Sequence, residues 1–155
     1  MLELGGSGEP RLFRDSSATE LYPRFSPDGK YLAYASDVSG RFEIYVTTFP
    51  TGDRRWQVSV DGGRYPRWSP TGDEIFFVGG GHLMRTSFGA EGEVKIGAPA
   101  RLISAHDGNL DFSGFGQSFY DVTPDGHFVV MRYQIDESRG PTIVQNWPRL
   151  FERTR

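Results

Sequence analysis

A chain of 155 residues with a formal net charge of −3 has the length of one domain and no overall attraction to nucleic acid or to an anionic membrane surface. The absence of cysteine excludes disulfides and thiolate metal sites. Twenty glycines, ten prolines and 14% aromatic residues are typical of many short strands joined by tight turns, so the composition predicts an all-β fold.

The first ten residues carry neither the basic flank nor the apolar run of a signal peptide, and no later stretch approaches the roughly 18 apolar residues of a membrane span. The sequence as written therefore predicts a cytoplasmic protein, or an extracytoplasmic one if it belongs to a longer sensor or secreted chain. Residues 10–16, which contain RLFRDS, are predicted to form a single outer strand ahead of the first repeat.

One sequence unit occurs three times, as YPRFSPDGK at 22–30, YPRWSPTGD at 65–73 and, more divergent, FYDVTPDGH at 119–127. A repeat at this spacing is typical of a supersecondary unit that buries its apolar surface only by stacking on neighbours. After the first copy come three short apolar segments separated by turn residues, 31–36, 42–49 and 54–60. With the strand that contains the motif, they predict a four-stranded meander, blade one, over 20–60.

The second copy follows the same plan over 63–105, which we designate blade two. Its further apolar segments are 74–78, 82–88 and 100–105. Between the first two of these, GGG at 79–81 predicts a hairpin turn, with His82 as the first residue of the next strand. From Ser26 to Ser69 the period is 43 residues, within the roughly 40–45 of a four-stranded propeller blade.

The third copy begins later and is shorter. From Ser69 to Thr123 the period is 54 residues, which places about 11 extra residues in a Gly- and Ser-rich loop at 106–118. Blade three then spans 119–147 with three predicted strands, and the proline and charges of the tail at 148–155 cannot easily supply a fourth. The outer strand ahead of blade one is the element that blade three lacks.

The repeats resemble the TolB-type, WD-repeat-like β-propeller repeat, through FSPDGKYLAYAS followed about ten residues later by EIYV. The end of the chain, YDVTPDGHFVVM followed by PTIVQNWPRLFERT, resembles the final blade of propellers appended to bacterial serine/threonine kinases and related sensors. The resemblance implies a toroid, usually of six blades, whose innermost strands line a central channel. It also implies a rim of loops that binds peptides, proteins or small ligands, and it does not imply an enzyme.

Closed propellers have about four to eight blades, so three cannot close a ring. A half ring would leave blade faces and a strand edge exposed. We therefore predict a single-domain half β-propeller of three four-stranded blades that closes a six-bladed ring as an isologous, strand-exchanging homodimer. In this arrangement the strand at 10–16 of one subunit completes blade three of the other. The alternative is that the chain is a fragment of a longer sensor propeller.

One set of polar and aromatic residues is predicted to meet at the channel mouth, because Arg24, Arg67 and Asp121 share one place in the repeat and tyrosines lie near them. We call this set the inner-strand cluster: Tyr22, Arg24, Tyr65, Arg67, Tyr120 and Asp121. Planar guanidinium donors beside aromatic faces suit carboxylates and peptides. The alternative is that the two arginines pair with neighbouring acids such as Glu20 and only hold the blades together.

His106 and Asp107 open the inserted loop and are further ligand-binding candidates, although polar decoration of a loop is the simpler interpretation. Asp28 and Asp125 lie in Pro-Asp-Gly turns, where a carboxylate bonds its own backbone, and are predicted to be structural.

Signatures of a nucleophile elbow, a zinc-protease helix and a phosphate-binding loop are missing from the sequence. We therefore predict no catalytic residue, metal or cofactor. The predicted function is a non-enzymatic module that binds itself and a peptide, protein or small anionic ligand. The alternative is a propeller-type enzyme or peptidase accessory domain that uses a metal or channel carboxylates.

Overall fold

The computed structural model of the chain is built from strands and turns. It describes residues 12–13, 15–104, 110, 112, 120–132 and 142–144. Within these ranges no helix is long and apolar enough to cross a membrane. The all-β fold predicted from the composition is confirmed.

Twelve strands are found in the described part of the chain. They are β1 (Glu20–Phe25), β2 (Tyr31–Ser36), β3 (Glu43–Thr48), β4 (Arg55–Gln57), β5 (Arg64–Trp68), β6 (Glu74–Gly79), β7 (His82–Gly89), β8 (Lys95–Ile96), β9 (Ala100–Ser104), β10 (Tyr120–Val122), β11 (Phe128–Arg132) and β12 (Thr142–Val144).

The strands form three antiparallel sheets that match the three repeats. Blade one has the order β1-β2-β3-β4, blade two runs β5-β6-β7 with β9 beside β7, and blade three has the order β10-β11-β12. The short strand β8, which pairs with the end of β7, lies in a segment predicted only as a link. Of the predicted outer strand at 10–16, the described residues 12, 13, 15 and 16 lie in no strand of this chain.

Blade two is covered on both faces, and its central strand shows how. Along β6, Ile75 and Phe77 belong to the core shared with blade one, whereas Phe76 and Val78 belong to the core shared with blade three. Successive side chains of a strand point to opposite faces, so a strand between two neighbours needs an unbroken apolar run. Residues 75–78, IFFV, supply that run.

The repeated turns are held by a hydroxyl and a carboxylate. Ser26 Oγ accepts a hydrogen bond from the Tyr31 amide at 3.0 Å and donates one to Asp28 at 2.6 Å. In the second copy Ser69 Oγ donates to Asp73 at 2.8 Å. The hydrogen bond from the Ser26 hydroxyl, and next that from the Lys30 amide, lowers the pKa of Asp28. Asp28 thus has the structural role that its turn predicts.

The third copy keeps this arrangement with threonine in place of serine. The Thr123 hydroxyl donates to the Asp125 carboxylate and accepts the His127 amide at 2.9 Å. The bond from Thr123 lowers the pKa of Asp125. Asp125 therefore also serves the turn, as predicted.

A buried carboxylate ties β3 to the connection between blades one and two. Glu43 is 1% exposed and accepts hydrogen bonds from Arg41 Nε at 2.6 Å, from the Gly62 amide at 2.9 Å and from the Ser59 hydroxyl. Ser59 Oγ in turn accepts the Ile44 amide at 2.7 Å. A buried carboxylate is tolerated when it is paired and hydrogen-bonded in this way.

Close packing at this connection generates a stability prediction. A Cβ added at Gly63 would lie 2.7 Å from both Ile44 Cγ1 and Ser59 Oγ. We expect Gly63→Ala to lower the free energy of unfolding by about 1–3 kcal/mol through overpacking. The measurement is urea denaturation followed by tryptophan fluorescence.

The matched control is Gly89→Ala. A Cβ there would meet only Lys95 O at 4.0 Å, and its φ lies outside the left-handed region. We expect this variant to change the free energy of unfolding by no more than about 0.5 kcal/mol, or to stabilise the protein slightly. Equal effects of the two substitutions would contradict the packing described for Gly63.

Candidate functional site

The first strands of the three blades lie next to one another. Strand β1 contacts β5, and β5 contacts β10. All six residues of the inner-strand cluster lie on these three strands. The fold thus juxtaposes residues that are up to about one hundred positions apart in the sequence.

Two tyrosines of the cluster sit on matching backbone irregularities. Tyr22 and Tyr65 have φ angles of 58° and 56°, in the left-handed region, and each lies at a register shift in its strand. Between Leu21 and Arg24 the chain advances three residues while its partner strand advances two, which is a β-bulge. This backbone costs about 1–2 kcal/mol for a residue other than glycine, so surrounding contacts must hold it.

Ring stacking and a buried hydrogen bond hold the second of these bulges. The rings of Tyr22 and Tyr65 are 4.4 Å apart between centroids. The Tyr120 hydroxyl donates to the Tyr65 carbonyl at 2.7 Å. Burial raises the pKa of the Tyr120 phenol far above its usual range, so Tyr120 stays a neutral donor. Tyr65 therefore links all three inner strands.

Arg67 is the arginine of the cluster that pairs with an acid. Its Nε lies 2.8 Å from Asp121 Oδ1, and its guanidinium lies 5.7 Å from the centre of the Tyr120 ring. Its Nη1 also donates to the Pro66 carbonyl at 2.9 Å. The acid pairing named as the alternative in the sequence analysis is thus found for Arg67, with Asp121 as its partner.

Arg24 has a different environment. Its Nη1 donates to the Pro23 carbonyl at 2.8 Å, but no ion pair of Arg24 is found among the described residues. Partial burial, and next the charge of Arg67, lower the pKa of Arg24 below its ordinary value. The cluster accordingly holds two guanidinium groups and one carboxylate, Asp121.

Three residues of the site were missed from the sequence. Trp68 Nε1 donates to the Arg24 carbonyl at 3.0 Å and fixes the backbone that carries Arg24. The carbonyls of Pro23 and Pro66 each accept a bond from the arginine that follows. The repeated Tyr-Pro-Arg was the available signal, because it places the same carbonyl before each arginine.

The remaining candidates, His106 and Asp107, lie outside the described residues. Across the part of the chain that the structure describes, no three His, Asp or Glu side chains converge as metal ligands would.

Comparison with solved structures identifies the fold. The chain is similar to a putative TolB from Agrobacterium tumefaciens, with a TM-score of 0.57 and 20% identity over 90% of this chain and 50% of that one. It is also similar to TolB from Acinetobacter baumannii, with a TM-score of 0.43 and 18% identity over 88% of this chain and 43% of that one. The first similarity shows a TolB-like propeller fold, as the repeats predict.

The chain spans about half the length of these two proteins or less. No protein-family model matches it, and no curated protein does. The resemblance of its last blade to kinase-linked sensors stays a prediction.

The link from Tyr120 to Tyr65 can be tested by removing one oxygen atom. Tyr120→Phe leaves the buried Tyr65 carbonyl without this donor, so we expect the free energy of unfolding to fall by about 1–3 kcal/mol. The measurement is urea denaturation of the two proteins in parallel.

Tyr45→Phe is the matched control, because Tyr45 is also buried and no hydrogen bond of its hydroxyl is found among the described residues. Its effect should stay within about 0.5 kcal/mol. If both variants lose the same stability, the hydrogen bond is not what joins blades two and three at this point.

Proposed function

We propose that this propeller module is a non-enzymatic binding domain whose inner-strand cluster takes the carboxylate of a peptide, a protein or a small anionic ligand. The observation that carries the proposal is the charge balance of the cluster. Two guanidinium groups face one carboxylate, and that carboxylate is already paired with Arg67.

The imbalance follows from a repeated geometry. Arg67 of blade two pairs with Asp121, which has the same place in blade three. For Arg24 of blade one, the corresponding residue of the next blade is Arg67. The two positive charges repel each other. A bound carboxylate would relieve this repulsion and accept two parallel hydrogen bonds from one guanidinium.

The cluster is also ordered before a ligand arrives. Each arginine is tethered to the preceding proline carbonyl, at 2.8 Å for Arg24 and 2.9 Å for Arg67. The stacked rings of Tyr22 and Tyr65 support the strands on which they lie. A side chain that is already held loses less conformational entropy on binding, which favours affinity.

The second class is a propeller-type enzyme or peptidase accessory domain with a metal or channel carboxylates. It is the weaker proposal, since Asp121 is the one acid of the cluster and is engaged by Arg67. Metal analysis of the purified protein separates the two classes, because metal-dependent propeller hydrolases require a bound divalent ion. A sensor propeller within a longer chain is compatible with the binding proposal.

We further propose that a second copy closes the ring as a homodimer. The face of blade one that points away from blade two carries apolar surface. A cavity of about 230 Å³ there is lined by Phe13, Glu20, Leu21, Pro23, Leu32 and Tyr34. Nearby on the same blade, Phe25 is 54% exposed. Exposed apolar faces of this kind favour association.

The carboxylate site is tested with a labelled tetraglutamate peptide, capped at its carboxyl end and followed by fluorescence anisotropy. Arg24→Gln removes the unneutralised guanidinium, and we expect the affinity to fall about tenfold, as for loss of a charge-assisted hydrogen bond. Affinity should also fall as salt is added.

Arg85→Gln serves as the control, because Arg85 lies on β7, two strands from Arg67, and contacts Glu74 at 3.5 Å. The affinity of Arg85→Gln for tetraglutamate should match that of the unaltered protein. A tetraglutamine peptide should bind to neither of these two proteins. Equal binding by the Arg24→Gln protein, or equal binding of the two peptides, rules out the proposed carboxylate site.

Ring closure is tested by light scattering behind a sizing column over a dilution series. We expect a dimer of about twice 17.4 kDa. Leu32→Glu places a charge in the apolar cavity on this face of blade one and should shift the protein toward the monomer. A monomer at all concentrations overturns the dimer, and the propeller is then completed by other means.

A further inference from the structure

A second cavity lies close to the inner-strand cluster and was not predicted from the sequence. Its volume is about 360 Å³, within the range of small-ligand sites. The chain segments around it come from blade one, blade two and the region after blade two. Its lining includes Arg41, Phe42, Arg64, Tyr65, Val78 and Phe112.

Arg64 has the geometry of an anion-binding side chain. Its guanidinium carbon lies 4.2 Å from the centre of the Phe42 ring. A guanidinium held against an aromatic face keeps its N–H groups at the edge of the plane, where a carboxylate can accept two of them. Stacking also restricts the side chain before a ligand arrives.

The two arginines of this cavity differ in charge compensation. Arg41 is engaged by Glu43 at 2.6 Å and by Asp61 at 3.3 Å. Arg64 forms no ion pair with any residue that the structure describes. The cavity thus contains one neutralised cation and one cation whose charge is left for a ligand.

The walls of the cavity leave the approach to Arg64 open. Gly80 and Gly81 form the two-residue turn of the β6–β7 hairpin, with φ angles of 59° and 77°. Positive φ at both positions is typical of a type I′ turn. At Gly79 a Cβ would lie 2.8 Å from the Gly62 carbonyl, so packing also requires glycine there. No side chain from these positions fills the cavity.

The cavity and the inner-strand cluster share Tyr65. Tyr65 lines the cavity, and its ring stacks on the ring of Tyr22 in the cluster. Arg64 immediately precedes Tyr65 on β5, and Arg67 follows two residues later. Arg64 therefore lies on the same strand, β5, that contributes Tyr65 and Arg67 to the inner-strand cluster.

We infer that Arg64, stacked on Phe42, is a second carboxylate subsite, and that the ligand of this module is an acidic peptide segment with at least two carboxylates. The peptide would place one carboxylate at Arg24 and another at Arg64. The identity of the ligand rests on the proposed function, but the subsite can be tested without it.

The subsite is tested alone in the Arg24→Gln protein by NMR titration with glutarate. The reporter is the Arg64 Nε–Hε resonance, assigned by its loss in Arg64→Lys. We expect a saturable shift of this resonance, while the Arg85 resonance, paired with Glu74, stays in place. No shift of the Arg64 resonance up to the solubility limit of glutarate overturns the subsite.

Peptide binding then tests whether the ligand is an acidic segment with at least two carboxylates. Arg64→Gln should weaken tetraglutamate binding about tenfold and leave the binding of a capped peptide with a single glutamate within about twofold. Arg24→Gln should weaken the binding of both peptides. Phe42→Leu, which removes the ring under Arg64, should weaken the binding of tetraglutamate but not that of the single-glutamate peptide.

The outcomes separate the two proposals. If Arg64→Gln binds tetraglutamate like the unaltered protein while Arg24→Gln does not, the second subsite is wrong and the proposed function stands. If neither peptide binds the unaltered protein, the proposed function is wrong, and the glutarate titration alone decides whether Arg64 binds carboxylates.

Discussion

Burial of both faces of blade two is the constraint on which the rest of this structure depends. A sheet between two neighbours has no solvent-facing side, so β6 alternates between two cores, with Phe77 toward blade one and Phe76 toward blade three. The first strands of the blades are brought together by the same stacking. The candidate site is therefore a product of the core, since its residues meet only where three packed blades converge.

Backbone strain and site geometry are joined at the bulges. Tyr22 and Tyr65 adopt an unfavourable conformation one residue after the start of a register shift, and each is followed by proline and arginine. The energetic cost of each bulge is met by contacts between blades, such as the bond from Tyr120 to the Tyr65 carbonyl. Cooperation between blades thus fixes the positions of the guanidinium groups.

The sequence was informative where a pattern is local or periodic. The repeat spacing predicted the strands and the turns, because hydroxyl, carboxylate and glycine must recur at fixed intervals within one turn. It could not predict β8, whose two residues are placed by pairing with β7 and by the bond from Thr86 to Gly97 at 2.7 Å. Nor could it assign Arg67 to Asp121 or Arg64 to Phe42, since both contacts join distant segments.

The place in the repeat that Arg24, Arg67 and Asp121 share carries different side chains in different blades. In blades one and two the backbone that presents it is set by a bulge and a proline carbonyl, whereas in blade three β10 pairs with β11 without a register shift and Tyr120 stands in place of the proline. Arginine in two copies and aspartate in the third show that opposite charges occur at the same place on the first strand of a blade. A protein built in this way can alter the sign and pattern of its binding surface one blade at a time, so new ligand preferences can arise by substitutions on the first strand of a single blade.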